Sequence, residues 1–196
     1  MTDIDTLPLI DFGPFREGTD AGRREVPCAI REAAQSIGFL YLVNHGIPQA
    51  VTDAAFAAGR QFFALPLEAK QEIKIREQRG YQAYRDVQRP GFLPNLNESF
   101  FMGLDLQPDD PDVVAKLPLH GPNQWPAAMP GFRAPMEAYF NAVFALGHDL
   151  LRACALALEL EERFFVPRYE KPIPFVRIMH YPAGPDRKST RLNSSY

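Results

Sequence analysis

An α+β fold is the class this sequence predicts, and three observations carry it. Stretches with helical apolar spacing flank short aromatic and aliphatic runs that read as strands. Nineteen of the 196 residues are proline, about double the usual roughly 5%, so many short elements must be joined by rigid corners. Fifteen phenylalanines against one tryptophan point to a core of stacked aromatic rings.

Leu7-Pro8-Leu9-Ile10-Asp11-Phe12 alternates weakly and reads as a first strand, ended by Gly13-Pro14. Arg23 to Ile37 carries Val26, Ala29, Ile30, Ala33, Ala34 and Ile37 at helical spacing. Pro27 is expected in its first turn, where a missing amide does no harm. Gly38 ends that helix, and Phe39-Leu40-Tyr41-Leu42-Val43 reads as a buried strand. Asn44-His45-Gly46 then supplies turn chemistry, and Pro48 opens the next helix. Val51 to Ala64 is amphipathic, with Val51, Ala55, Ala58 and Phe62 on one stripe. Pro66 starts a third helix through Ile75, with Glu68 near its start and Lys70 and Lys74 towards its end, where each charge suits the helix dipole.

From Glu77 to Asp112 the periodicity dissolves into a long connection rich in Gly, Pro, Asn and aromatics. Within it, Asn97 to Phe101 looks like a strand that pairs inside a sheet, making Glu98 a hydrogen-bonding partner rather than a catalytic base. Pro130 to Leu160 is the longest helix, regular from Pro135 onward. Phe175 to Tyr181 returns to strand character. Alternation there puts Val176, Ile178 and His180 on one face, and Phe175, Arg177, Met179 and Tyr181 on the other.

Composition excludes several classes. The net charge of −3 and the lack of a basic stripe argue against a nucleic-acid surface. No apolar run approaches the ~20 residues a membrane helix requires. The amino terminus lacks the charged start and apolar stretch of a signal peptide. Cys28 and Cys154 read as two buried, reduced thiols rather than a disulfide. A cytoplasmic protein is the expectation.

Seven segments bear on function together: LPLIDF (7–12), GFLYLVNHGIP (38–48), FFALPLEAK (62–70), RGYQAY (79–84), NESFF (97–101), GPNQWP (121–126) and RIMHYP (177–182). In this order they resemble the isopenicillin N synthase-like family of non-haem iron, 2-oxoglutarate-dependent oxygenases. The resemblance implies a jelly-roll (double-stranded β-helix) core, of which this chain would supply the amino-terminal helical flank and the first strands. Residues 1–120 correspond to the family's amino-terminal region. Residues 121–186 correspond to the long helix and first core strand, and 187–196 read as a disordered or non-native tail.

The resemblance also implies Fe(II) held by two histidines and one carboxylate, the first two arriving as H-x-D on one strand. His45, His120, His148 and His180 are the four histidines, and none begins an H-x-D. In the family that pair follows the HYP segment, which here gives way to RKSTRLNSSY. The full-length family uses Fe(II) and 2-oxoglutarate on a small-molecule substrate; neither is expected to bind this chain as it stands, and no catalytic or metal-ligating residue is assigned. Tyr181 is the expected 2-oxoglutarate contact, with its strand face towards the cavity and His180 pointing away. Arg79, Tyr81 and Arg85 border the expected substrate pocket, arginine being well shaped to clamp a carboxylate. The reaction class spans hydroxylation, desaturation, ring closure and the ethylene- or succinate-forming type. The alternative is a non-enzymatic remnant or interaction module built on the same scaffold without metal.

Overall fold

The computed structural model describes residues 6–84, 96–169 and 171–182. Two compact units interleave along the chain: residues up to Phe62 with Ala127–Pro174, and Phe63–Pro126 with the strand from Phe175.

In the first unit β1 (Leu9–Asp11) pairs in parallel with β2 (Tyr41–Val43). A parallel pair needs a crossover, supplied by α1 (Gly13–Arg16) and α2 (Asp20–Ser36). Thr19 caps α2 by accepting from the Gly22 amide. Because that cap sits before the expected start, Pro27 lies inside α2 instead of its first turn. The Arg23 carbonyl, four residues back, therefore lacks its usual helical amide donor. Gly38 ends the helix as expected: at φ +79° its amide bonds the Ala33 carbonyl, a turn that a side chain would strain.

β2 is not the buried strand that its composition suggests. Phe39 and Tyr41 are 71% and 59% exposed, because among the described residues this sheet has two strands. Burial falls instead on Ile10, Phe12, Phe15, Val26, Ile30 and Ala33, packed with Ala153 and Ala157 of α6 (Arg133–Ala157). Arg31 tethers the carboxyl end of α6, donating to the Ala157 carbonyl and pairing with Glu159 at 2.8 Å. Arg23 and Arg152 both pair with Glu162 just beyond it.

α3 (Gln49–Phe63) follows Pro48 and buries Ala55, Ala58 and Phe62 from its predicted stripe. Phe62 is fully buried and stacks on Phe132 at 4.7 Å between ring centroids, a pairing that adds to simple area burial. Residues 130–132 form one 3-10 turn leading into α6, so the long helix begins two residues before Pro135. No described helix is long and apolar enough to cross a membrane.

The second unit starts with α4 (Leu67–Gln71), which stops four residues short of the expected Ile75. The chain instead turns back on itself there: Ile75 and Arg76 bond Tyr81 and Arg79 through the backbone. β3 (Gly80–Gln82), β4 (Glu98–Gly103) and β5 (Phe175–His180) form an antiparallel sheet in the order β3-β4-β5. The long connection expected from Glu77 to Asp112 thus contains the strand read at Asn97–Phe101, as β4, a further strand, β3, and the start of a short helix, α5 (Pro111–Val114). Three-residue β3 is too brief to display an alternating pattern, which is why periodicity missed it.

Phe62→Ala should destabilise the chain by about 3–5 kcal/mol through the cavity opened against Phe132. The shift in the urea midpoint, read by circular dichroism, measures it.

Candidate functional site

The register of the second sheet assigns every side chain to a face. Glu98 opposes His180, Phe100 opposes Ile178 and Met102 opposes Val176, while Tyr81 opposes Phe100 from β3. These residues share one face. Ser99, Phe101, Arg177 and Met179 share the other, as does Tyr181, one residue past the strand.

On the first face lies a buried ionic cluster centred on Glu98, 6% exposed. α4 directs Lys70, also 6% exposed, so that Nζ donates to Glu98 Oε2 at 2.8 Å and to the Phe63 carbonyl at 3.0 Å. Lys70 also lies over the Tyr81 ring, 5.3 Å from its centroid. The Tyr81 hydroxyl donates to the same Oε2. His180 Nδ1 meets Oε1 at 2.8 Å, and an ionised carboxylate only accepts, so Nδ1 carries the proton. Phe63 stacks on the His180 ring at 5.4 Å. Burial alone would raise the Glu98 carboxyl, but the bonds from Lys70, Tyr81 and His180 and the Lys70 charge outweigh it and hold it below its ordinary value.

This arrangement bears out Glu98 as a hydrogen-bonding partner, and His180 does point away from the Tyr181 face. Lys70 does lie in the last turn of α4, with Glu68 in the first, as expected; what its position in the helix did not show is that it is also the buried countercharge of a glutamate 28 residues later. The available signal was its place in FFALPLEAK among apolar neighbours, but no local pattern names a partner so distant.

The expected pocket residues are placed differently from one another. Arg79 is 2% exposed, donating to the carbonyls of Glu77 at 3.1 Å, Leu104 at 3.3 Å and Leu119 at 3.2 Å. The Phe175 ring packs 4.9 Å from its guanidinium. Gly103 makes room for it, since a Cβ there would lie 2.5 Å from Nη2. Burial lowers the Arg79 pKa, opposed by Asp105 and Glu77, and the guanidinium stays charged regardless. Tyr81 is 1% exposed and committed to Glu98. Arg79 and Tyr81 are therefore interior residues engaged with their own chain. Tyr181 is 63% exposed, with its hydroxyl 3.7 Å from Met179 Sδ. Arg85 lies outside the described residues, as does the tail from 187.

The remaining histidines have local roles. His45 Nδ1 accepts from the Ile47 amide at 3.1 Å, closing the turn after β2. His148 meets the Phe144 ring edge-on at 4.7 Å. His120 Nδ1 lies 2.8 Å from the Pro118 carbonyl. Cys28 is exposed and Cys154 half-buried, both free thiols, so the two are less buried than expected. Among the described residues, no group of three or more His, Cys, Asp or Glu is placed to hold a metal ion. The side chains described do not make a two-histidine, one-carboxylate iron site.

Comparison with known proteins adds the following. The profile of the family described as "non-haem dioxygenase in morphine synthesis N-terminal" matches residues 7–128. A 2-oxoglutarate-Fe(II) type oxidoreductase of Emericella nidulans is 34% identical over 193 residues, covering 95% of this chain and 55% of the relative. A 2-oxoglutarate-dependent dioxygenase of Monascus ruber is 34% identical over 200 residues, covering 96% and 60%. A full-length Neurospora crassa protein, solved in complex with alpha-KG and thymine, superposes with a TM-score of 0.75 at 29% identity, over 93% of this chain and 57% of that one. The chain thus spans little more than half the length of the relatives it matches.

Removing one partner of the buried pair should be costly, because the other is left charged and unpaired. Lys70→Met is expected to destabilise by roughly 3–5 kcal/mol, as measured by denaturant unfolding at pH 7. The depressed Glu98 carboxyl contributes stability that is present above its unfolded pKa of about 4.3. That contribution is lost as pH falls through the lower folded value. Glu98→Gln should flatten this acid limb in melts recorded between pH 6 and pH 2.

Proposed function

The chain belongs to the 2-oxoglutarate-Fe(II) oxygenase family through its non-haem dioxygenase amino-terminal region, and on that premise we propose that it is the amino-terminal portion of an oxygenase acting on a small molecule. One observation carries the reading: 34% identity to a named oxidoreductase of this type, sustained over 95% of the chain. The order of the seven segments and the antiparallel sheet ending in RIMHYP support it.

When bound in a complete enzyme, Fe(II) with 2-oxoglutarate supplies oxidative chemistry that no amino-acid side chain provides. Nothing among the described residues fits that metal, so this chain's part is scaffolding and ligand contact. The Glu98 cluster joins α4, β3 and β5 and fixes the strand that carries Tyr181. Tyr181, exposed beside Met179, is the 2-oxoglutarate contact. Arg79 and Tyr81 act as positioning residues, holding the sheet that presents the site. Arg85, which lies outside the described residues, contacts substrate. Small molecules are the substrate class, in keeping with the thymine bound by the Neurospora protein. The outcome is hydroxylation, desaturation, ring closure or the ethylene- or succinate-forming type.

The reading is tested by joining residues 1–182 to the carboxyl-terminal portion of the Emericella relative. The chimera should consume 2-oxoglutarate in the presence of Fe(II), while the unmodified chain should neither consume it nor bind Fe(II) one-to-one in anoxic calorimetry. A folded chimera that leaves 2-oxoglutarate untouched, or tight stoichiometric iron binding by the chain alone, would overturn it.

A further inference from the structure

We propose that the cavity between α1 and the turn after β2 binds a dibasic α-amino acid, with its carboxylate on Arg16 and its two cationic groups on Asp11 and Glu17. This binding lies within the first unit and does not depend on the oxygenase activity proposed above.

The cavity has a volume of about 570 Å³, within the range of small-molecule sites. Its charged walls are Asp11, Arg16 and Glu17, and Gly13, Asn44 and Gly46 border them. Asp11 is fixed before any ligand arrives: its Oδ1 accepts from the Asn44 side-chain amide and from the Gly13 backbone amide, each at 2.9 Å. Those bonds, that of Asn44 foremost, hold its carboxyl below the ordinary value, so it stays ionised at neutral pH. Its Oδ2 has no partner among the described residues. The turn is held as well, since His45 Nδ1 accepts from the Ile47 amide at 3.1 Å. Arg16 lies against Gly46, where a Cβ would collide with its Cζ, Nη1 and Nη2. At φ +82° the backbone there also favours glycine, so Gly46 both makes the turn and leaves room for the guanidinium.

No ion pair among the described residues answers any of these three charges. Arg23, Arg31, Arg133 and Arg152 each pair with a carboxylate, whereas the Arg16 guanidinium has no side-chain partner there, although two carboxylates share its cavity. One cation and two anions select the ligand. A simple anion would be repelled by the two carboxylates, and a diamine by the guanidinium. An amino acid with one carboxylate and two cations reverses every sign. Its carboxylate matches the planar guanidinium fork through paired N–H bonds, and its cationic groups donate to Asp11 Oδ2 and to Glu17. A neutral amino acid would leave one wall carboxylate unmatched, which gives the discrimination. Because Asp11 is already immobilised, less freedom is lost on binding.

The whole chain, labelled with nitrogen-15, is titrated with lysine, ornithine, norleucine and cadaverine at about 0.15 M salt, which screens loose pairing between exposed charges. The Gly13 and Gly46 amides and the Arg16 Nε–H should shift saturably with lysine or ornithine. Norleucine lacks the side-chain cation and cadaverine lacks the carboxylate, so each should bind at least tenfold more weakly. Arg16→Gln should weaken binding of the tighter dibasic acid at least tenfold. Glu17→Gln should bring that acid down to the level of norleucine. Both side chains are exposed, so both variants should keep a dispersed amide spectrum. The proposal is overturned if neither dibasic acid gives a saturable shift, if norleucine or cadaverine matches them, or if Arg16→Gln binds as well as the original chain. Should the Arg16 variant fail to fold, undiminished binding by Glu17→Gln would overturn it equally.

Discussion

A buried carboxylate must be answered from every side, and Glu98 organises the second unit around that requirement. Ionised and almost wholly removed from water, it would be prohibitively unstable alone. Lys70 supplies the countercharge and shares Oε2 with the Tyr81 hydroxyl, while His180 bonds Oε1. Those partners come from α4, β3 and the far end of β5, so satisfying one side chain brings segments more than a hundred residues apart in the chain into register. An apolar cluster of the same volume could match it in stability. What the ionic version adds is geometry: strand slippage by one residue would turn Glu98 to the opposite face and strand its charge.

From that register follows the division of labour between the two faces of the sheet. One face is spent on Glu98, Phe100, Met102 and Tyr81, all buried. The other carries Arg177, Met179 and Tyr181, all exposed, together with the buried Ser99. Arg79 is turned inward: its Nη1 and Nη2 donate to three backbone carbonyls, while its buried Nε has no partner among the described residues. Arg177 differs in that its partners are the neutral side chains of Ser99 and Asn97.

The first unit solves a simpler problem by aromatic and aliphatic packing. Phe12 and Phe15 stack at 5.2 Å, and α2 lies along the carboxyl-terminal part of α6. Arg23 and Arg152 converge on Glu162. These exposed and half-exposed pairs contribute little to stability individually; their effect is to fix where the long helix ends.

Much of this was legible in the residues. Helical spacing located α2, α3 and α6, Gly38 marked a helix end, and Asn97 to Phe101 announced a strand with Glu98 as a bonded partner. The seven ordered segments pointed to the family, and alternation alone placed His180 opposite Tyr181. These features are local, or are patterns along the chain, and sequence carries both. Other features depended on distance in space. Pro27 moved into a helix interior because a cap formed earlier, Lys70 found Glu98, and Tyr81 and Arg79 turned inward. β2 stayed exposed because no third described strand joins it. Pairing across tens of residues leaves no periodicity, so only the folded chain could decide which charges are neutralised.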